Sequence, residues 1–223
     1  TISDYERMLE ACVRNKTVLA VDHTRRYMPY WQRVKALVDE GIIGPVQNVV
    51  GVLNGPRAML FRNGTHLIDA MCWFSGGAPD WVFAELESGY ENYTEYRGDG
   101  GHLPESEPSA HGYIHFSNNV RGIYIGGPKT TPPHKMRLEI VGTDGVLMVD
   151  EAEATNECRL TTAEQTTALD VGSRDAGSGI GLSVRDVINA IETNRAPQCT
   201  GLEAKRVVDV MLGFLESQRL GNV

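Results

Sequence analysis

Apolar positions along the chain follow two periods, with the change near Trp81. Before it they recur three and four residues apart. Tyr5, Met8, Leu9, Cys12 and Val13 follow the capping sequence Ser3-Asp4-Tyr5-Glu6, which predicts a helix over about 4–15. The run Thr17 to Asp22 reads as a strand. Pro29 suits a first helical turn, Trp31, Val34, Leu37 and Val38 form an apolar stripe, and Gly41 supplies the stop. Gly44-Pro45 then turns the chain into a strand from Val46 to Leu53. A third helix is predicted near 64–75, with Leu67, Ile68, Met71 and Cys72 inward and Gly76-Gly77 ending it.

Beyond Trp81 the period shortens to two. Strands are predicted from Trp81 to Leu86, Gly112 to Phe116, Val120 to Ile125, Met136 to Val141 and Val146 to Asp150. Asn118-Asn119 and Thr143-Asp144-Gly145 read as hairpin turns between them. The segment 88–109 is acidic, rich in Tyr and Gly and aperiodic, the mark of a long loop that is either functional or mobile. Residues 172–181 read as a Gly/Ser linker, and helices near 183–194 and 202–218 close the chain. Hairpin-joined strands imply a mostly antiparallel sheet, and helices grouped at both ends of the sequence imply that they cover one face of it. The expected fold class is α+β, a single domain over 1–223. The uncovered sheet face then needs another domain or a second copy of the chain, because a broad exposed apolar sheet is a liability.

Charge and cysteine usage narrow the function classes. The net charge of −8 offers no basic footprint for nucleic acid or anionic lipid, and no stretch reaches the length of a membrane span. The four cysteines, Cys12, Cys72, Cys158 and Cys199, have neither disulfide nor zinc-framework spacing, so reduced thiols in a cytoplasmic protein are expected. The start, Thr1-Ile2-Ser3, has no initiator Met and no charged-then-apolar leader, and reads as a chain that has lost its beginning.

Candidate chemistry centres on the third helix. His66 and Asp69 stand three residues apart at its start, on one face and away from the apolar stripe, where they can act on one pocket. A helix N-terminus favours neutral imidazole and a nearby carboxylate favours the cation, so His66 is poised to accept an alcohol proton. Arg25 and Arg26 end the first predicted strand. Alternation sends them to opposite sides, one toward a site and the other free to pair structurally, with Asp69 a candidate partner. Tyr27 adds a hydroxyl. His111 and His115 lie on one strand face about 13 Å apart by the rise per residue, too far to share a metal. Lys129 and His134 fall in a Pro/Gly-rich loop that suits surface and site equally. Two Gly-rich runs, 177–181 and 126–130, fail the dinucleotide and P-loop patterns, and no metal site is expected.

Three segments resemble the glucose–fructose oxidoreductase/inositol dehydrogenase (Gfo/Idh/MocA) family. They are His23-Thr24-Arg25-Arg26-Tyr27-Met28-Pro29 with the following helix and Gly41-Ile42-Ile43-Gly44-Pro45-Val46; Asn63-Gly64-Thr65-His66-Leu67-Ile68-Asp69; and Glu139-Ile140-Val141-Gly142-Thr143-Asp144-Gly145. Asn194-Arg195-Ala196-Pro197 between the closing helices also fits. The resemblance implies a C-terminal substrate-binding and oligomerisation domain. NAD or NADP would be bound mainly by an N-terminal Rossmann domain that ends in Glu-Lys-Pro and is not in this chain. It also implies a sugar-like or hydroxylated substrate, catalysis by His66 beside the nicotinamide, and pairing of the open sheet face between subunits. One position departs from the family: the Asp four residues before the His is Arg62 here, a permanent cation that attracts a substrate carboxylate or phosphate instead of serving as a base. Arg62, Asp69, Arg25, Arg26 and Tyr27 are therefore the candidate substrate-binding residues. The alternative is a catalytically silent relative that binds a sugar-like ligand or serves as an oligomerisation scaffold.

Overall fold

The structure, a computed structural model, describes residues 1–100, 102–127, 129, 135–151, 157–172 and 179–221. His134 and most of the predicted linker lie outside the described residues. Five α-helices are found among them: α1 Ile2–Asn15, α2 Pro29–Asp39, α3 Thr65–Ser75, α4 Gly179–Glu192 and α5 Gly201–Arg219. The strands are β1 Val46–Asn54, β2 Pro79–Leu86, β3 Ala110–Phe116, β4 Arg121–Gly126, β5 Lys135–Gly142, β6 Val146–Asp150, β7 Glu157–Thr161 and β8 Thr166–Asp170. The first cap sits two residues earlier than the sequence suggests: the Thr1 hydroxyl accepts from the Asp4 backbone N–H at 3.2 Å, and Asp4 reaches back to the chain's amino group.

All eight strands form one sheet in the order β2-β3-β4-β1-β5-β6-β7-β8. Every neighbouring pair is antiparallel except β1 and β4, which run parallel at the centre. This is the expected α+β class. The predicted strand Thr17 to Asp22 is corrected: Ala20 makes an isolated bridge to Thr200, and Val21 N–H donates to the Cys199 carbonyl, but no ladder forms. A strand needs a neighbour for its backbone groups, and its apolar pattern does not supply one. Two strands escaped prediction, β7 and β8, because Glu157–Thr161 and Thr166–Asp170 are short and mostly polar.

Helices α3 and α5 lie on one face of the sheet, and absent side chains let them approach closely. A Cβ on Gly112 would sit 2.2 Å from the Phe214 ring, and one on Gly51 would sit 2.8 Å from Met71 Sδ. The opposite face carries alternate residues in rows across the strands. Phe83, Tyr113, Ile123 and Val50 are consecutive partners in one row, and Trp81, His115, Arg121 and Asn48 in the next. Trp81 stacks on His115 with ring centroids 5.3 Å apart and also on Tyr113 at 5.1 Å. Trp81 is 52%, Phe83 45% and Ile123 43% exposed, so this face is apolar and open to solvent.

Candidate active site

Between β1 and α3 the chain makes an irregular turn whose construction sets the site. Residues Leu60–Gly64 form one π-helical turn, in which Gly64 N–H donates to the Met59 carbonyl at 2.8 Å. Gly64 is required there, since a Cβ would lie 2.5 Å from the Tyr124 hydroxyl. The free N–H groups at the start of the turn are met by Glu107, whose Oε2 accepts from Phe61 N at 2.9 Å and Arg62 N at 3.0 Å. Glu107 is fully buried, and burial raises its pKa against the pull of those two N–H groups. It arrives from the end of the long loop, and Leu60 N–H is tied to the same stretch through the Pro108 carbonyl. Lys129, from the segment after β4, pairs with Glu87 at 2.8 Å and donates to the Glu107 carbonyl.

This turn and the start of α3 form one wall of a cavity of about 420 Å³, lined by Phe61, Arg62, Thr65 and His66. His23 and Tyr96 line it from other segments. Phe61 packs on Tyr96 with centroids 5.0 Å apart, so the long loop supplies an aromatic wall. Burial, then the charges of Arg25, His23 and Arg62, push the His66 pKa down to about 3. Its imidazole is therefore neutral at any ordinary pH, and its Nδ1 is buried without a hydrogen-bond partner. His23 is likewise pushed down by burial, and the two rings meet edge to face at 5.8 Å.

Of the candidate residues, Arg62 and His66 share this cavity. Asp69 does not line it. One helical turn deeper and almost fully buried, it accepts from Arg26 Nε at 3.0 Å with both oxygens. Arg26 is equally buried, bonds Glu203 at 2.9 Å and lies over the Trp73 ring. Arg25 is held by both oxygens of Glu151, at 2.9 and 2.8 Å, and acts on His66 through its charge. The two arginines sit on a 3₁₀ turn, Thr24–Tyr27, and not at a strand end. Tyr27 is buried, donates its hydroxyl to the Val21 carbonyl at 3.1 Å and does not itself line the His66 cavity. His23, Phe61, Tyr96 and Glu107 were not singled out from the sequence. The only signal for the last two was the length and Tyr-rich composition of the loop that carries them.

No curated protein sequence matches the chain. Solved structures match over its whole length at low identity, and these establish likeness of fold. An oxidoreductase from Sinorhizobium meliloti superposes with a TM-score of 0.78 at 17% identity, covering 100% of this chain and 69% of that one. UDP-N-acetylglucosamine 3-dehydrogenase from Acidithiobacillus ferrooxidans gives 0.75 at 16%, covering 99% and 67%. An oxidoreductase from Agrobacterium radiobacter, in complex with NAD+, L-tartaric acid and magnesium, gives 0.73 at 14%, covering 100% and 68%. The family profile described as the GFO/IDH/MocA C-terminal domain matches residues 31–148, more than half of the sequence and the stretch that holds most of α2, the π turn, α3 and the sheet centre, and the chain therefore belongs to the GFO/IDH/MocA family.

Proposed function

We propose that the protein is the substrate-side domain of an NAD(P)-dependent oxidoreductase acting on a hydroxylated small molecule that carries a carboxylate or phosphate. The observation that carries this reading is one cavity in which a neutral, half-buried imidazole and a guanidinium four residues away stand on the same wall. Removing hydride from a carbinol makes its hydroxyl proton strongly acidic, so even a weak base can take it. His66 is the group placed to do so. Arg62 takes the substrate's anionic group and fixes which carbinol faces the imidazole. An anion seated at Arg62 also cancels one of the charges that depress His66, which raises its proton affinity only when substrate is bound.

Among the described residues the dinucleotide itself finds no cradle. Among the described residues, no strand leads through a G-x-G-x-x-G turn into a helix N-terminus. NAD or NADP supplies hydride acceptance when a separate nucleotide-binding domain holds it, and this chain's residues hold the substrate and move the proton. Such work suits the cytoplasm, where Cys12, Cys72, Cys158 and Cys199, all free, stay reduced. No helix among the described residues is long and apolar enough to cross a membrane.

Titration calorimetry with a hydroxy acid and with a neutral polyol of similar size tests the anion preference. A hydrogen bond to a charged group contributes about 1.5–3 kcal/mol. Arg62→Ala should therefore weaken the hydroxy acid about 10- to 100-fold and leave the polyol unchanged. Equal losses for both ligands would show that Arg62 only shapes the cavity.

The same reading places a second copy of the chain against the open sheet face, where Trp81, Phe83 and Ile123 lie exposed in adjoining rows. Light scattering should then give a dimer or larger species, and Trp81→Glu with Ile123→Glu should shift it to monomer. A wild-type chain that stays monomeric at high concentration would rule this pairing out.

A further inference from the structure

A second group of chemically active side chains lies beneath the cavity and takes no part in the proposed reaction. His23, Asp69 and Cys199 come from the segment before the 3₁₀ turn, from α3 and from the residues just before α5, far apart in sequence. All three are buried, and their donor atoms lie within 4.8 Å of one another. We propose that His23, Asp69 and Cys199 bind a divalent transition-metal ion of the zinc class.

Four features support the site. The first is the donor set: imidazole, carboxylate and thiolate suit zinc, with bonds of about 2.0–2.3 Å that place neighbouring donors roughly 3.3–3.8 Å apart. The present spacing is up to about an ångström wider, which side-chain rotation closes. The second is an unmet need. His23 is only 5% exposed and its Nδ1 has no hydrogen-bond partner, so an imidazole nitrogen is buried with nothing to bind.

The third feature is capacity at Asp69. Arg26 Nε occupies part of the carboxylate at 3.0 Å, but the group has about four lone-pair positions, and a carboxylate shared between an arginine and a metal keeps both contacts. The fourth is charge. Arg26 and Asp69 cancel, and Glu203, bonded to Arg26, leaves one negative charge over. An ion carrying two positive charges, entering as the Cys199 thiol gives up its proton, leaves the cluster neutral. Three protein donors leave a tetrahedral ion one position for water, and the ion's way in is the cavity that His23 itself lines.

Cobalt(II) reports such a site directly, because thiolate ligation gives an intense sulfur-to-cobalt charge-transfer absorption. Metal-free protein titrated with cobalt should develop that band to saturation at one equivalent, and added zinc should bleach it. Cys199→Ser should abolish the band and Cys158→Ser should keep it. His23→Gln should weaken cobalt binding at least tenfold, a test that stands even if the Cys199 variant folds poorly. The proposal is overturned if wild-type protein shows no charge-transfer band, if the band survives Cys199→Ser, or if His23→Gln binds cobalt as tightly as wild type.

Discussion

Asp69→Asn is expected to lower the stability of the metal-free protein by about 3–5 kcal/mol, the usual cost of removing one partner from a buried ion pair. The loss comes less from the missing attraction than from what stays behind. Arg26 keeps its charge, is almost fully buried, and would retain only Glu203, itself one-third exposed, as an anionic partner. The asparagine amide would add donors facing a group that has only donors to offer. For a domain of this size such a loss corresponds to a fall in melting midpoint of roughly 6–20 °C. The Lys35–Asp39 pair on α2, whose aspartate is exposed, is the control, and Asp39→Asn should cost no more than about 0.5 kcal/mol. A change below about 1 kcal/mol at Asp69 would mean that water or a neighbour rescues Arg26, and that the pair does not anchor α3 to the 3₁₀ turn.

The second large effect is expected at His66, in the enzyme that contains this domain. His66→Asn keeps hydrogen-bonding capacity but removes the base, and general acid–base contributions of about 10²–10⁴ predict a fall in turnover of at least about tenfold. Thermal stability should change by less than about 1 kcal/mol, because the side chain lines a cavity. The pH profile carries a sharper signature. In the free protein the His66 pKa is pushed down to about 3, so the neutral base persists far below the usual imidazole range and kcat/KM should stay level through pH 6.5. With an anion at Arg62 one depressing charge is offset, the pKa rises, and the acid limb of kcat should lie at higher pH than that of kcat/KM. Coincident limbs near 6.5 would place the imidazole in an ordinary solvated setting, and loss of stability without loss of turnover would make His66 structural.

The elements with local signals were legible in the sequence. Pro29, the stripe from Trp31 to Val38, and the Gly76 stop, which takes φ 70°, bracket α2 and α3 to within a residue or two. The Thr143-Asp144-Gly145 turn joins β5 and β6 as its composition suggests. What failed depended on distant partners. Thr17 to Asp22 has a strand's pattern but only one bridge, while β7 and β8 have little pattern and gain their ladders from β6 onward. At the site, Arg62 and His66, paired in the sequence only through the family resemblance, both line one cavity. The three-residue spacing of His66 and Asp69 did not bring those two together there, because Arg26 draws the carboxylate inward from 43 residues away. Glu107 could not be inferred from any local rule: it meets two backbone N–H groups 45 and 46 residues back, in a π turn that no periodicity announces.

The central strand also has a bearing on how the chain is made. β2, β3 and β4 form one meander and β5 to β8 another, each joined by short range pairing, and β1 alone ties them together. Yet β1 is synthesised before either meander and meets its last partner only when residue 142 has emerged. β4 can pair one edge once residue 126 has emerged, but until β5 follows, Val49-Val50-Gly51-Val52-Leu53 keeps its other edge unpaired, an apolar β-prone segment open to the wrong strand. Its flanking polar residues, Gln47, Asn48 and Asn54, limit that hazard without removing it. The slow step in folding is therefore expected to be insertion of this strand between the two halves of the sheet.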